Sequence, residues 1–291
     1  MPMPEHFTDR LLEAIETKGA PVCIGIDPVA ERLPKGLGVE PVEAIEDFSC
    51  VVLDAIAEFV PAVKVQLACF ERYRAAGYAA FDRVVRRAAS LGLIVIADAK
   101  RNDIATSATH YAAGLLEAAD AVTVGTYLGR DSLEPFLNIA ATEGKGLFAL
   151  VRTSNPDGDA LQSLQLADGR RVSEAVADLV ADAGRLCRGT SGFSLLGAVV
   201  GATKAEEIAS LRRRMPQQIF LIPGIGAQGA ALGDILGSFD ESGQGALVTA
   251  SRSVIYAFDS SDKCPWARAV AGAARLLRDE LAALLARRRD P

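Results

Sequence analysis

Histidine is almost missing from this chain: His6 and His110 are the two among 291 residues. That shortage argues against a histidine-built metal site or a Ser-His-Asp relay, each of which needs imidazole at its centre. Cysteine is scarce too. Cys23, Cys50, Cys69, Cys187 and Cys264 make an odd count with no C-x-x-C pair, so reduced thiols in a cytosolic protein are expected rather than a zinc site or a disulfide framework. Positive charge is not in excess, with 31 Lys and Arg against 37 Asp and Glu and a net charge of −6. Nucleic-acid binding is therefore not expected as the main activity, although a local basic cluster can still hold a small anion. No apolar run reaches membrane-spanning length, and residues 1–7 lack the charged leader and apolar core of a signal peptide. The expectation is a cytoplasmic protein with neither membrane nor nucleic acid as a partner.

What the chain does contain is a series of short, β-rich apolar runs at 22–26, 62–65, 94–97, 121–124, 147–151, 196–200, 219–222 and 246–249. Segments with helical periodicity separate them, among them 42–59, 78–91, 104–118, 172–187 and 204–213. Strands alternating with helices imply parallel pairing through right-handed crossovers. Eight such units in a chain of this length fit a closed (β/α)8 TIM barrel. No linker or break in composition divides residues 1–291, so one domain is expected, with a helix before the first strand and a long helix over 266–288 outside the barrel. The basic tract Arg287-Arg288-Arg289 reads as favourable charge at that helix's C-terminus.

In such a barrel the chemistry sits at the C-terminal strand ends. The third run is followed at once by Asp98, Lys100 and Asp103, and residues two apart on a strand point to one side, which pairs Asp98 with Lys100. Asp103 can also be read as an N-cap for the helix that follows. The second run carries Lys64 inside apolar surroundings, where an unpaired ammonium would be costly. Asp27, ending the first strand, and Asp98 can supply its partners. An alternating array of Asp27, Lys64, Asp98 and Lys100 is self-consistent as a catalytic mouth or as a structural ion network. The fifth strand ends in Arg152-Thr153-Ser154-Asn155, and the polar segment 153–170 after it is long for a βα connection, as functional or mobile loops are. Gly224-Ile225-Gly226-Ala227-Gln228-Gly229 has G-x-G-x-x-G spacing but follows the seventh strand, and the next strand ends in Arg252. That context is wrong for a dinucleotide and right for a single phosphate, with a bare turn as the other reading.

Together these residues resemble the orotidine 5′-phosphate decarboxylases, specifically their longer bacterial-type (type 2) subfamily, from Asp27 to about Tyr256. The signature Asp-x-Lys-x-x-Asp-Ile is met by Asp98, Lys100, Asp103 and Ile104. Supporting matches are Gly25-Ile26-Asp27-Pro28, Ala62-Val63-Lys64, the 127–132 stretch from Tyr127 to Ser132, 151–155, Pro223-Gly224-Ile225-Gly226 and Ser251-Arg252. The resemblance implies decarboxylation of orotidine 5′-monophosphate to uridine 5′-monophosphate, the last step of UMP biosynthesis, without a cofactor. It implies Lys100 as the acid that protonates C6, with Asp98, Asp103 and Lys64 completing the charge array. Asp27 and Lys64 would bind ribose hydroxyls, Ser154 the pyrimidine, and Gln228 and Arg252 the phosphate. Ile104, Pro223 and Gly226 would line the substrate. A homodimer is implied in which Asp103 and Ser107 enter the partner's site. This chain departs from the family pattern at Asn102 and Ala105, where Gly is frequent, and at Ser107, where Thr is usual. The strand-seven loop is also short and lacks an aromatic phosphate contact.

Two rivals use the same residues. A metal-dependent sugar-phosphate decarboxylase or aldolase of the same superfamily would want an acid for magnesium near Lys64, where a second ammonium would repel the ion. A non-catalytic nucleotide-binding barrel would have no need of the full charge array.

Overall fold

Every short apolar run becomes a strand in the computed structural model, which describes residues 4–225, 231–258 and 265–289. The strands are β1 (Val22–Ile26), β2 (Ala62–Gln66), β3 (Ile94–Arg101), β4 (Ala121–Val124), β5 (Gly146–Arg152), β6 (Ser194–Val200), β7 (Gln218–Pro223) and β8 (Ala246–Ala250). Each pairs in parallel with the next, and β8 closes on β1 through Cys23 opposite Thr249. The helices are α1 (Phe7–Lys18), α2 (Pro41–Ile56), α3 (Leu67–Glu71), α4 (Arg74–Ser90), α5 (Ala105–Ala118), α6 (Glu134–Glu143), α7 (Asp159–Gln162), α8 (Val172–Gly184), α9 (Ala205–Arg214), α10 (Arg252–Ile255) and α11 (Trp266–Arg289).

The period of two along each strand divides the apolar residues between two cores. Val63 and Val65 of β2, Val95 and Ala97 of β3, and Val122 and Val124 of β4 pack outward against the helices. Cys23, Ala62, Ile94, Ile96, Ala121 and Phe148 fill the barrel interior. Lys64 continues the inward phase of Ala62, and Asp98 that of Ile94 and Ile96, so both polar groups arrive at the mouth above an apolar floor. The other end is stoppered by α1, whose Phe7 meets Phe148 edge-on with centroids 6.0 Å apart. Asp9 ties that helix to the segment before β6, accepting from the N–H groups of Thr190 and Ser191 at 2.9 Å each. Burial alone would raise the Asp9 carboxyl, but those bonds hold it at about 2.

Three elements differ from expectation. Strand β3 runs on to Arg101 rather than stopping at Ala97, with a register shift against β4 between those two residues. Between β7 and β8 the described residues form a 3-10 turn, Leu232–Ser238, whose two glycines weaken helix propensity. The basic end of α11 also does more than complement a helix dipole: Arg288 donates to the carbonyls of Leu236 and Phe239 and fastens that turn.

Candidate active site

Asp98 is the centre of the barrel mouth. It is 5% exposed, and four donors saturate its two oxygens. Lys64 Nζ at 2.5 Å and Gln66 Nε2 at 3.1 Å donate to Oδ2. Lys100 Nζ at 2.5 Å and Thr123 Oγ1 at 3.0 Å donate to Oδ1. Burial pushes the Asp98 carboxyl up, but the charges of Lys64 and Lys100 and their hydrogen bonds outweigh it and hold the carboxyl well below its ordinary range. Lys64 shows the converse. Its burial favours the neutral amine, yet Asp98, and Asp27 at 3.9 Å, raise its pKa above the ordinary ammonium value. Asp98 and Lys64 are therefore each held in the charged form although both are buried.

Backbone geometry aims Lys100. Its φ is +48°, a left-handed conformation rare for a residue with a Cβ, and its N–H donates to Thr123 Oγ1 at 2.9 Å. One threonine thus holds both the acid of the array and the backbone of the lysine. Gly25 matters in the same way on β1, since a Cβ there would lie 1.9 Å from Ser251 Oγ. Asp27 is steadied from behind by Tyr256, whose hydroxyl accepts from Val29 N–H at 2.8 Å and donates to the Asp27 carbonyl at 3.3 Å. The Tyr256 ring stacks on Phe48 and lies under Arg32.

Above this array is a cavity of about 390 Å³. Asp27, Lys64, Asp98 and Lys100 line it together with Ser154 and Asn155 after β5 and with Pro223, Gly224, Ser251 and Arg252 at the ends of β7 and β8. Asp27 Oδ1 and Thr249 Oγ1 are buried and have no hydrogen-bond partner among the described residues. Leu150, Val199 and Leu221 supply apolar lining suited to a flat ring. Gly226 and Gln228 lie outside the described residues.

Asp103, Ile104 and Ser107 do not line this cavity. Asp103 is half-buried, and its Oδ1 accepts from Ile104 N–H at 2.8 Å. The N-cap of α5 is Ile104, so the capping role considered for Asp103 is not the one it fills. Ile104 and Ser107 are exposed, as are Tyr111, Tyr127 (82% exposed) and Leu128. Ala105 has φ +47°, where glycine would sit without strain. Asn102 packs over Gly125, where a Cβ would come 2.9 Å from its side chain.

Sequence reasoning missed Gln66, Thr123, Thr249 and Tyr256. The signal for the first three was the strand period: Gln66 shares the phase of Lys64, and Thr123 and Thr249 are the polar residues of otherwise apolar strands. Arg152 is a different case. It is 1% exposed and lies outside the cavity lining, bound to Asp159 and Glu207.

Comparison with known proteins agrees with this geometry. A family profile described as "Orotidine 5'-phosphate decarboxylase / HUMPS family" matches residues 20–263. The chain is similar to orotidine 5′-phosphate decarboxylase of Rhodopirellula baltica, 40% identical with 94% of this chain and 98% of that one covered. The enzyme of the same name from Deinococcus radiodurans is 38% identical, covering 96% and 98%. Among solved structures, Leishmania donovani OMP decarboxylase superposes with a TM-score of 0.78 at 32% identity, covering 96% of this chain and 99% of that one.

Proposed function

The chain belongs to the orotidine 5′-phosphate decarboxylase family, and from that premise we propose how its residues divide the work of the reaction. The reaction is removal of CO2 from orotidine 5′-monophosphate to give uridine 5′-monophosphate in pyrimidine biosynthesis. Losing CO2 from C6 leaves a pair of electrons in an sp² orbital that the ring π-system cannot absorb. Stabilisation must come from outside the ring, as charge placed in advance. Lys100 provides it and then delivers its proton to C6. Opposite unit charges about 4 Å apart attract by roughly 4 kcal/mol at an effective dielectric near 20, so one positioned ammonium is a major contributor.

The single observation that carries this reading is the bridging of Asp98, with Lys64 on one oxygen and Lys100 on the other. Asp98 fixes the ammonium before substrate arrives and presents negative charge to the substrate carboxylate. Asp27 and Lys64 bind the ribose hydroxyls, Ser154 the pyrimidine, and Arg252 with Gln228 the phosphate, beside Pro223 and Gly226. Ile104 contributes to substrate binding, while Asp103 and Ser107 serve the partner's site in a homodimer. Support for the dimer is the exposure of the apolar side chains of Ile104, Tyr111 and Tyr127. Residues 1–291 act as one barrel unit in the cytoplasm. Among the described residues no helix is long and apolar enough to cross a membrane.

The test follows orotidine 5′-monophosphate absorbance with purified protein, with and without EDTA. Turnover that chelation leaves unchanged is expected, and Lys100→Ala should lower it at least about 10³-fold while UMP still binds. Turnover retained in Lys100→Ala would remove the lysine as acid, and turnover abolished by EDTA would favour a metal-dependent reaction.

A further inference from the structure

The loop after β5 is built around a buried arginine. Arg152 donates through Nε to Glu207 of α9, through Nη2 to Asp159 and Ser163, and through Nη1 to Gln162 Oε1 at 3.1 Å. Gln162, at the end of α7, uses this anchor to grip the residue beside Ser154. Its Oε1 accepts from Thr153 N–H at 2.9 Å, and its Nε2 donates to Thr153 Oγ1 at 2.8 Å. Thr153 Oγ1 in turn donates to Asn155 Oδ1 at 2.7 Å. Two donors point at one end of the Gln162 amide and a hydroxyl acceptor at the other, so a single orientation satisfies all three bonds. Both neighbours of Ser154 are thereby fastened by a side chain that does not line the cavity.

We propose that Gln162 is a positioning residue for pyrimidine recognition: held by Arg152, it sets the Thr153–Asn155 arc so that Ser154 meets the base. This rests on the assignment of Ser154 to the pyrimidine. Gln162 touches no substrate atom and acts through Thr153. The amide is suited to the task because it offers an acceptor and a donor to one residue, whereas a carboxylate could not donate to the threonine hydroxyl and an alkyl chain could do neither.

The experiment is a double-mutant cycle of Gln162→Leu and Ser154→Ala. It reads kcat/KM for orotidine 5′-monophosphate, competitive inhibition by UMP and by ribose 5-phosphate, and thermal midpoints. Gln162 is half-buried, so the leucine variant should fold. Gln162→Leu should lower kcat/KM about tenfold and weaken UMP to a similar extent, while ribose 5-phosphate binds as before. The double variant should be no worse than Ser154→Ala alone. Should Gln162→Leu not fold, Thr153→Val, which loses the hydroxyl and keeps the N–H bond, should show the same selectivity with a loss of a few-fold. Equal weakening of both inhibitors, additive losses, or activity within about twofold of wild type would overturn the proposal. If Ser154→Ala is costly and the Gln162 and Thr153 variants are harmless, the positioning role alone falls. An inert Ser154→Ala removes the pyrimidine assignment and the positioning role with it.

Discussion

At the scale of single residues, the stretch from Asp98 to Ala105 concentrates backbone strain and closely paired charge. Lys100 and Ala105, on either side of Asp103, both have positive φ. For a residue with a Cβ that conformation costs about 1–2 kcal/mol, and such cost persists where surrounding structure holds it. At Lys100 the strain is matched by the bonds to Thr123 and Asp98. At Ala105 no such compensation is visible. Ala105→Gly should therefore stabilise the protein by up to about 1 kcal/mol after glycine's larger entropy loss is counted, seen as a raised thermal midpoint; a lowered midpoint would show that Ala105 is at ease. The charge array makes a second prediction. The Asp98 carboxyl is depressed from its ordinary 3.8, so its stabilising contribution is present above that value and is lost as pH falls toward its folded one. Lys64 is raised from 10.5, so its contribution is complete below 10.5 and is lost only as pH climbs through its folded value. The thermal midpoint should be level between about pH 5 and 9 and fall below about pH 4. Asp9, held at about 2, shares that acid limb. Asp98→Asn should make the limb shallower, and an unchanged limb would mean that the array is not ionised in the native protein.

At the scale of elements, the barrel was largely legible and its supports were not. Eight buried strands write themselves as β-branched apolar runs, and the charged residues that interrupt or end those runs mark the mouth. The partners that hold those charges are distant in sequence. Thr123 reaches Asp98 across 25 positions and Tyr256 reaches Asp27 across 229, and no local pattern pairs them. The left-handed turn at Lys100 was invisible because no glycine marks it. Arg152 shows the limit most clearly. It stands beside Thr153 and Ser154 in the sequence, but β5 and β6 slip register between Leu150 and Arg152, and its side chain becomes the buried hub of the loop. Removing it leaves Glu207, 11% exposed, with a much reduced counter-charge. Arg152→Met should cost about 3–5 kcal/mol, measured by urea unfolding, and a loss under about 1 kcal/mol would make the hub an ordinary surface pair.

At the scale of the whole molecule, the arrangement of the signature residues is the informative point. Asp98 and Lys100 face this chain's own cavity, while Asp103, Ile104 and Ser107 lie outside its lining, and Ile104 and the nearby α5 residue Tyr111 expose apolar side chains. Three positions separate Lys100 from Asp103, a spacing that would normally keep them in one site, but the left-handed turn at Lys100 and the break in β3–β4 register let the chain leave the mouth at once. If a second copy covers those side chains, each site takes Lys100 from one protomer and Asp103 from the other. Lys100→Ala and Asp103→Asn chains, each inactive as homodimers, should then regain activity when mixed under conditions that exchange subunits. A heterodimer holds one site with both defects and one with neither. Random pairing makes half the dimers heterodimers, so recovery should approach about a quarter of wild-type activity. Recovery should also grow with the fraction of heterodimer, which tagged chains and native mass spectrometry can measure. If heterodimers form and activity stays absent, Asp103 serves its own subunit's cavity, and a movement of 102–105 would have to bring it there.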